Sequence, residues 1–135
     1  MMRIGINGLG RIGRLAIRAL QNHPTMELVH VNDIAGDAAT HAHLLAFDSV
    51  HGRWDIDVSG VDDRLLIDGR DIKVTSEKTL EASNFSDCDL VLECTGKFKT
   101  VDALKPYHDQ GVQQIVVSAP IKVPEVLNVV MGVND

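Results

Sequence analysis

The sequence predicts a doubly wound α/β fold, a parallel β-sheet with helices on both faces and a small antiparallel insertion. Short runs rich in valine, isoleucine and leucine alternate along the chain with segments of helical periodicity. The first unit, residues 3–32, reads strand, helix, strand, which requires parallel strands with a right-handed crossover. With 44% apolar residues in 135, the chain can bury the core of one domain.

The elements of the first half are set by apolar spacing and by proline. Residues 3–7 form a strand, and residues 11–21 form a helix with one apolar face that ends before Pro24. A second strand follows at 27–32 and a second helix at 38–47. These elements predict the first parallel pair and the helix that covers it.

The second half contains the insertion. Three strand-like runs, WDIDV, RLLID and DIKVT, lie within residues 54–75, with Asp62-Asp63 and Asp68-Gly69 as turn signals between them. They predict an antiparallel meander. The parallel pattern then resumes in four elements, a strand at 89–94, a helix at 100–110 that includes Pro106, and strands at 114–118 and 127–131.

Charge and composition exclude several classes of partner. The 13 basic and 19 acidic residues give a net charge of -6, which argues against a nucleic acid or an anionic membrane surface. No apolar run is long enough for a membrane span, and MMRIGING does not resemble a signal peptide, so we expect a cytoplasmic protein. Cys88 and Cys94 are expected to be reduced. The six histidines show no metal-ligand spacing.

Glycines are concentrated in GINGLGRIGR, residues 5–14, between the first strand and the first helix. Gly8, Gly10 and Gly13 stand at the G-x-G-x-x-G spacing. The first permits a tight turn, the second lets a pyrophosphate approach the backbone, and the third lets helix and strand pack closely. The free amides at the helix start would face that anion. The pattern predicts a dinucleotide site of the Rossmann type.

Two arginines in the first helical turn support an anion there. The helix dipole disfavours Arg11 and Arg14 by about 0.3–1 kcal/mol each, and a bound anion would reverse that sign. The alternative is that one or both arginines point into solvent and cost little.

Asp33 follows the second strand, about 25 residues past Gly8. A carboxylate there can accept hydrogen bonds from both hydroxyls of an adenosine ribose and would repel a 2′-phosphate. This predicts NAD rather than NADP as the cofactor. The alternative is that Asp33 is only a turn or cap residue.

Six motifs together resemble the N-terminal NAD-binding domain of glyceraldehyde-3-phosphate dehydrogenases, in the family's order along the chain. They are GINGLGRIGR, ND at 32–33, FDSVHGRW at 47–54, ECTGKF at 93–98, SAP at 118–120 and VMGVND at 130–135. Erythrose-4-phosphate dehydrogenases share much of this domain. FDSVHGRW and VLNVVMGVND also resemble the bacterial branch associated with arsenate detoxification, where arsenate replaces phosphate.

The resemblance implies cofactor contacts at the start of the chain. Arg11 and Ile12 would lie against the pyrophosphate, and Asp33 would bind the adenosine ribose. Asn7 would help to set the glycine turn.

The resemblance implies further contacts near the middle of the chain. Lys78, where the family often has arginine, and Phe98 would border the adenine, although Phe98 could equally be a core residue. Thr95 and Gly96 would pass beside the cofactor, and Ser118 would contact it near the nicotinamide, unless Ser118 merely ends a strand before proline.

The family's reaction, as the resemblance implies it, oxidises a sugar-phosphate aldehyde through a cysteine thiohemiacetal and a thioester, with a histidine as base. The nucleophile belongs to an S-C-T-T-N-type segment shortly after VMGVND, past Asp135, and Cys88 and Cys94 occupy other positions. We therefore expect residues 1–135 to be an incomplete NAD-binding domain without catalytic residues or turnover. Its catalytic domain would lie outside this chain, and full-length family members would be homotetramers.

Two other functions stay open on sequence alone. One is a stand-alone NAD-binding module without chemistry. The other keeps the enzyme and changes the substrate to erythrose 4-phosphate, or the acceptor to arsenate.

Overall fold

The computed structural model describes residues 1–48 and 52–118, which contain nine strands and four helices. In chain order they are β1 (Met2–Asn7), α1 (Arg11–Leu20), β2 (Met26–Asn32), α2 (Ala38–Ala46), β3 (Phe47–Asp48), β4 (Gly52–Arg53), β5 (Val58–Val61), β6 (Arg64–Ile67), β7 (Arg70–Thr75), α3 (Leu80–Ser83), β8 (Leu90–Glu93), α4 (Val101–Asp109) and β9 (Gln114–Val117).

Seven strands form one sheet in the order β5-β6-β7-β2-β1-β8-β9. The five strands from β7 to β9 are parallel. The chain runs outward from β1 to β2 and β7, then returns to the other side of β1 through β8 and β9. The order of the strands therefore reverses between β1 and β8, the position at which α/β sheets of this kind bind ligands outside the carboxyl ends of the strands. The predicted Rossmann fold is confirmed.

The insertion is an antiparallel meander of β5, β6 and β7, and β7 is also the third parallel strand. Asp62 and Asp68 adopt left-handed backbone conformations, with φ of 54° and 51°, at the two predicted turns. The meander begins at Val58, later than the predicted residue 54, because the Trp54 amide donates to the Ala46 carbonyl at the end of α2 instead.

Two apolar clusters cover the two faces of the sheet. Ile4 and Ile6 of β1 belong to the larger cluster, which also contains Ile17 of α1 and Leu45 of α2. On the other face, Gly5 lies against a smaller cluster, which joins α3 and α4 to β8. The members of this cluster are Leu80, Phe85, Cys88, Val91, Leu104, Tyr107 and Val112. The sheet therefore lies between two apolar layers, which together fix the positions of the strand ends.

The other predicted elements within the described residues agree closely with the structure. The structure also contains short elements that the sequence did not predict. The two-residue pair of β3 and β4 and the four-residue helix α3 were not predicted. The predicted strand at 127–131 and most of the SAP and VMGVND motifs lie outside the described residues. Among the described helices, none combines the length and apolar character needed to cross a membrane.

Candidate functional site

A pocket of about 520 Å³ opens at the carboxyl ends of β1, β2 and β8, where the strand order reverses. Thirteen residues line it: Asn7, Gly8, Gly10, Asn32, Asp33, Ile34, Glu77, Lys78, Thr79, Cys94, Thr95, Lys97 and Phe98. The pocket therefore lies where the glycine motif and Asp33 predict a dinucleotide.

The three motif glycines have three different environments. Gly8 has a φ of +99°, and a Cβ there would come within 2.8 Å of the backbone of Cys94 and Thr95. A Cβ on Gly13 would overlap the Gly8 carbonyl oxygen, so the helix and the turn are in direct backbone contact. A Cβ on Gly10 would meet no atom within 4 Å, and Gly10 lines the pocket. These environments suit a turn, a close packing contact and a ligand approach, respectively.

Helix α1 begins at this turn without a side-chain cap. Gly10 is its N-cap residue, and no acidic residue lies in its first turn. Arg11 is exposed, and Ile12 is 55% exposed. Uncapped N–H groups and the positive end of the helix dipole favour an anion at this position. The helix start therefore suits the pyrophosphate predicted for it.

Arg14 does not point into solvent. Its Nη1 donates to the Leu9 carbonyl at 2.9 Å, and the side chain is half-buried. Arg14 therefore holds the glycine turn, and of the two arginines only Arg11 is exposed at the helix start.

Asp33 supports the turn and lines the pocket at the same time. Its Oδ2 accepts from the Leu9 amide at 2.6 Å, and its Oδ1 accepts from the Ala35 amide at 2.8 Å. An ionised carboxylate has about four acceptor positions, so two remain for other donors. The turn role and the ribose role predicted for Asp33 are therefore compatible.

A buried polar network joins the strand ends beneath the pocket. Asn7 Nδ2 donates to Glu93 Oε1 at 2.8 Å and to the Tyr107 hydroxyl at 3.1 Å, and Tyr107 donates to the same Glu93 oxygen at 2.6 Å. Burial, and then the Glu93 charge, raise the pKa of Tyr107, so the hydroxyl keeps its proton and remains a donor. Asn32 Nδ2 donates to Asn7 Oδ1 at 2.9 Å. The network ties β1, β2 and β8 to α4.

Glu93 also positions the segment that follows β8. Its Oε2 accepts from the Thr95 amide at 2.9 Å and from the Thr95 hydroxyl at 2.6 Å. Glu93 is fully buried, and each of its oxygens accepts two hydrogen bonds. The pocket wall at Thr95 is therefore held rigidly by the core.

Seven of the twelve sequence-predicted residues line the pocket: Asn7, Gly8, Gly10, Asp33, Lys78, Thr95 and Phe98. Gly13 is buried behind the turn, and Arg11 and Ile12 lie on the first turn of α1 beside it. Gly96 lies between the lining residues Thr95 and Lys97.

Ser118 is exposed just after β9, outside the pocket lining, and its amide donates to the Glu93 carbonyl at 2.9 Å. The side chain of Asn7 acts through the buried network, which is a wider role than the predicted support of the glycine turn.

Sequence reasoning missed six lining residues, Asn32, Ile34, Glu77, Thr79, Cys94 and Lys97. Asn32 ends β2, and Cys94 directly follows β8. The available signal was position alone, because the residues that end parallel strands meet at one edge of the sheet.

Both cysteines are free thiols with weak acidity. Burial, with the Glu93 charge, raises the pKa of Cys94 to about 11, although a hydrogen bond with Ser118 opposes the shift. Burial also raises the pKa of Cys88 well above its usual value. Only a trace of thiolate exists at neutral pH, which does not suit a nucleophile.

Comparison with known proteins agrees with this geometry. A family described as "Glyceraldehyde 3-phosphate dehydrogenase, NAD binding domain" matches residues 2–101. The chain is 51% identical over 136 residues to glyceraldehyde-3-phosphate dehydrogenase 3 of a Nostoc species, covering 99% of this chain and 40% of that protein.

More distant relatives give the same picture. The chain is 44% identical over 137 residues to glyceraldehyde-3-phosphate dehydrogenase of Geobacillus stearothermophilus, covering 99% of this chain and 40% of that protein. It is 37% identical over 139 residues to the Thermotoga maritima enzyme of that name, covering 100% of this chain and 41% of that protein. The chain therefore spans about 40% of the length of these relatives.

Proposed function

The chain belongs to the family of glyceraldehyde-3-phosphate dehydrogenase NAD-binding domains, and on that premise we propose that it is the NAD-binding part of a phosphorylating aldehyde dehydrogenase. NAD is the cofactor of this domain. The proposed reaction is the glycolytic one, in which glyceraldehyde 3-phosphate, NAD and phosphate give an acyl phosphate and NADH. The observation that carries the proposal is the glycine turn, open at Gly10, beside the Asp33 carboxylate with two acceptor positions left.

We assign the cofactor contacts by the chemistry of the pocket. The uncapped amides that follow Gly10, with Arg11 and Ile12, would hold the pyrophosphate. Asp33 would accept from the adenosine ribose hydroxyls. The aromatic ring of Phe98 would border the adenine.

The remaining contacts follow along the pocket wall. Lys78 would lie near the adenine, Thr95 and Gly96 would pass beside the cofactor, and Ser118 would contact it near the nicotinamide half. The buried Glu93 would keep Thr95 in place through its two hydrogen bonds.

Bound NAD would accept the hydride from the aldehyde, and the described residues would bind and orient it. Cys94 lines the pocket, but its raised pKa leaves it protonated. We therefore assign no catalytic residue to this chain, and the thiol nucleophile, the histidine and the sugar-phosphate site would come from a catalytic domain outside it.

The test of this proposal compares NAD and NADP binding by calorimetry. Asp33→Ser should weaken NAD binding about tenfold or more, because hydrogen bonds to a charged group contribute about 1.5–3 kcal/mol. NADP binding should stay equal or improve, since the repulsion of the 2′-phosphate is removed. Asp37→Asn, on an exposed carboxylate that caps α2 outside the pocket lining, is the matched control and should change neither affinity.

A structural role alone predicts another outcome. If Asp33 served only to hold the Leu9 amide, Asp33→Ser would weaken NAD and NADP binding equally, and the ribose assignment would be wrong.

The chain should also form no NADH with glyceraldehyde 3-phosphate or erythrose 4-phosphate, in phosphate or arsenate. Turnover that Cys94→Ser abolishes would overturn the assignment of catalysis to another domain.

A further inference from the structure

Three side chains with metal-ligand chemistry converge away from the cofactor pocket. His30 lies in β2, while Asp87 and Cys88 precede β8. Their ligand atoms all lie within 4.8 Å of one another. His30 Nδ1 is 3.9 Å from Asp87 Oδ1, and the Cys88 thiol donates to that same oxygen across 3.6 Å. The sequence hides this cluster, because β2 and the approach to β8 are distant along the chain.

The hydrogen bonds around His30 determine which ring nitrogen carries its proton. Asn32 Nδ2 donates to Asn7 Oδ1 at 2.9 Å and to the Glu77 carbonyl at 3.0 Å, so the orientation of this amide is fixed. Asn32 Oδ1 must then accept from the Thr75 hydroxyl, at 2.6 Å. Thr75 has no second proton, so toward His30 Nε2, 2.8 Å away, it can only accept. Neutral His30 therefore carries its proton on Nε2.

The other ring nitrogen is left as a buried lone pair. His30 is fully buried, and its Nδ1 has no hydrogen-bond partner among the described residues. The Cys88 proton is directed to Asp87 Oδ1, so it does not satisfy Nδ1. A buried acceptor without a donor is costly and calls for an electrophilic partner.

The ring and the thiol are held in place by the packing around them. Phe85 stacks on the His30 ring, with the centroids 4.2 Å apart, while Thr75 holds its far nitrogen. Gly5 lies opposite His30 in the sheet, and a Cβ there would come within 2.8 Å of Cys88 Sγ. A residue without a side chain in β1 therefore lets the thiol rest on the sheet beside the imidazole. Metal-binding histidines typically have their second nitrogen anchored in this way.

We propose that His30 Nδ1, the Asp87 carboxylate and the Cys88 thiolate form a binding site for a divalent cation of the zinc class. Imidazole, thiolate and carboxylate are the ligands that zinc prefers, whereas magnesium and calcium take oxygen ligands. Tetrahedral ligation at about 2.0–2.3 Å requires donor atoms about 3.3–3.7 Å apart, so small side-chain movements close the site. Asp87 is 44% exposed at its side chain, which leaves the fourth position to water.

Binding would displace one proton. The Cys88 thiol would lose its proton to solvent as the sulfur–metal bond forms, while His30 would give its existing lone pair and Asp87 its existing charge. Lys73 lies beside His30 on β7 and opposes a cation there, and Arg3 does so near Cys88. The Arg3 charge is countered by Asp89, 3.8 Å away. The two carboxylates and the thiolate therefore outnumber the two basic side chains around the site.

The experiment is a Co²⁺ titration of the chelator-treated chain, read by absorbance. We expect one equivalent to produce tetrahedral d–d bands and a thiolate-to-cobalt charge-transfer band, which excess Zn²⁺ removes. Asp87→Asn is a neutral substitution of similar shape on a partly exposed side chain, and Cys88→Ser removes the sulfur. Each should weaken binding about tenfold or more, and Cys88→Ser should abolish the charge-transfer band. Far-UV circular dichroism would verify that both variants fold.

Two matched controls separate this site from adventitious binding. Cys94→Ser removes the other thiol, and Asp109→Asn removes an exposed carboxylate on α4 that lies outside the cluster. Both should keep the band and an affinity within about threefold of the unaltered chain. Absence of a charge-transfer band in the unaltered chain, or a band that survives Cys88→Ser and disappears in Cys94→Ser, would overturn the proposal.

Discussion

Gly10 and Gly13 belong to one motif but are glycine for different reasons. Gly13 has the Gly8 carbonyl oxygen where its side chain would be, whereas Gly10 has open pocket space there. Substitution at Gly13 therefore acts on the fold, and substitution at Gly10 acts on whatever enters the pocket. The two positions make a matched pair, because alanine adds one methyl group at each of them, at the start of the same helix.

We predict opposite effects for the two alanine variants. Gly10→Ala should change the free energy of unfolding by less than about 1 kcal/mol, because its φ of -74° suits alanine. It should weaken NAD binding at least about tenfold, since the methyl group occupies the approach of the pyrophosphate. Gly13→Ala should destabilise the chain by about 1–3 kcal/mol or more through backbone displacement. Urea unfolding measures the stability of both variants, and calorimetry measures their NAD affinity. An unchanged NAD affinity in Gly10→Ala would contradict the approach of the pyrophosphate at Gly10.

The spacing of the glycines predicted these environments, but it could not predict their neighbours. Arg14 turns back to the Leu9 carbonyl, and Asn7 bonds Glu93 and Tyr107, which are 86 and 100 residues away. The partners of a buried polar side chain are set by the strand order, which residue spacing does not contain. Asp33 was predictable as a pocket residue, whereas its two turn hydrogen bonds became visible only in the fold.

At the scale of elements, helix α2 carries a buried histidine on its inner face. His41 is 3% exposed, and neither ring nitrogen has a partner among the described residues. Burial, and the Arg14 charge, lower its pKa, while Asp33 and Asp37 oppose the shift. The folded state therefore binds the proton less readily than the unfolded chain does, and α2 contributes a source of acid instability.

We predict that His41→Leu reduces the loss of stability in acid. Because the folded-state pKa is depressed, the neutral histidine is fully compatible with folding above the unfolded pKa of about 6.5, and stability falls as the pH drops below it. Urea unfolding at about pH 8 and about pH 5 should show a smaller decrease for His41→Leu than for the unaltered chain. His43→Gln, exposed on the same helix, is the control and should follow the unaltered chain. Equal decreases in all three proteins would exclude His41 as a source.

The length of an element decides whether a periodic sequence pattern can predict it. Helix α1 was predictable because its apolar face packs on the larger cluster, and the parallel strands were predictable because they contribute apolar side chains to the two clusters. The pair of β3 and β4 and helix α3 are too short for a periodic pattern, and a Thr79 cap is the main local signal for α3. The meander was predictable from its turns, because Asp62 and Asp68 tolerate left-handed backbone conformations.

At the scale of the whole molecule, the proposed cofactor site and the proposed cation site share the sheet but not their ligands. Two hydrogen bonds in series connect them, one between His30 and Thr75 and one from Thr75 to Asn32, which lines the pocket. The sequence predicted the first site because the residues of each of its motifs are contiguous. It could not find the second, since His30 meets Asp87 and Cys88 only when β2 and β8 both flank β1.

Cofactor binding should therefore stabilise the entire chain, because the pocket is formed by strand ends from both sides of the sheet. At a free NAD concentration about 100 times the dissociation constant, linkage predicts about 2.7 kcal/mol, or a rise of about 10 °C in the thermal midpoint. Calorimetry or circular dichroism measures the shift. At the same NAD concentration, Gly10→Ala should lose most of it, whereas Asp87→Asn should keep it, as a residue outside the pocket lining. An equal shift in Gly10→Ala would place the stabilising NAD elsewhere, and a shift lost in Asp87→Asn would mean that the two sites are not independent.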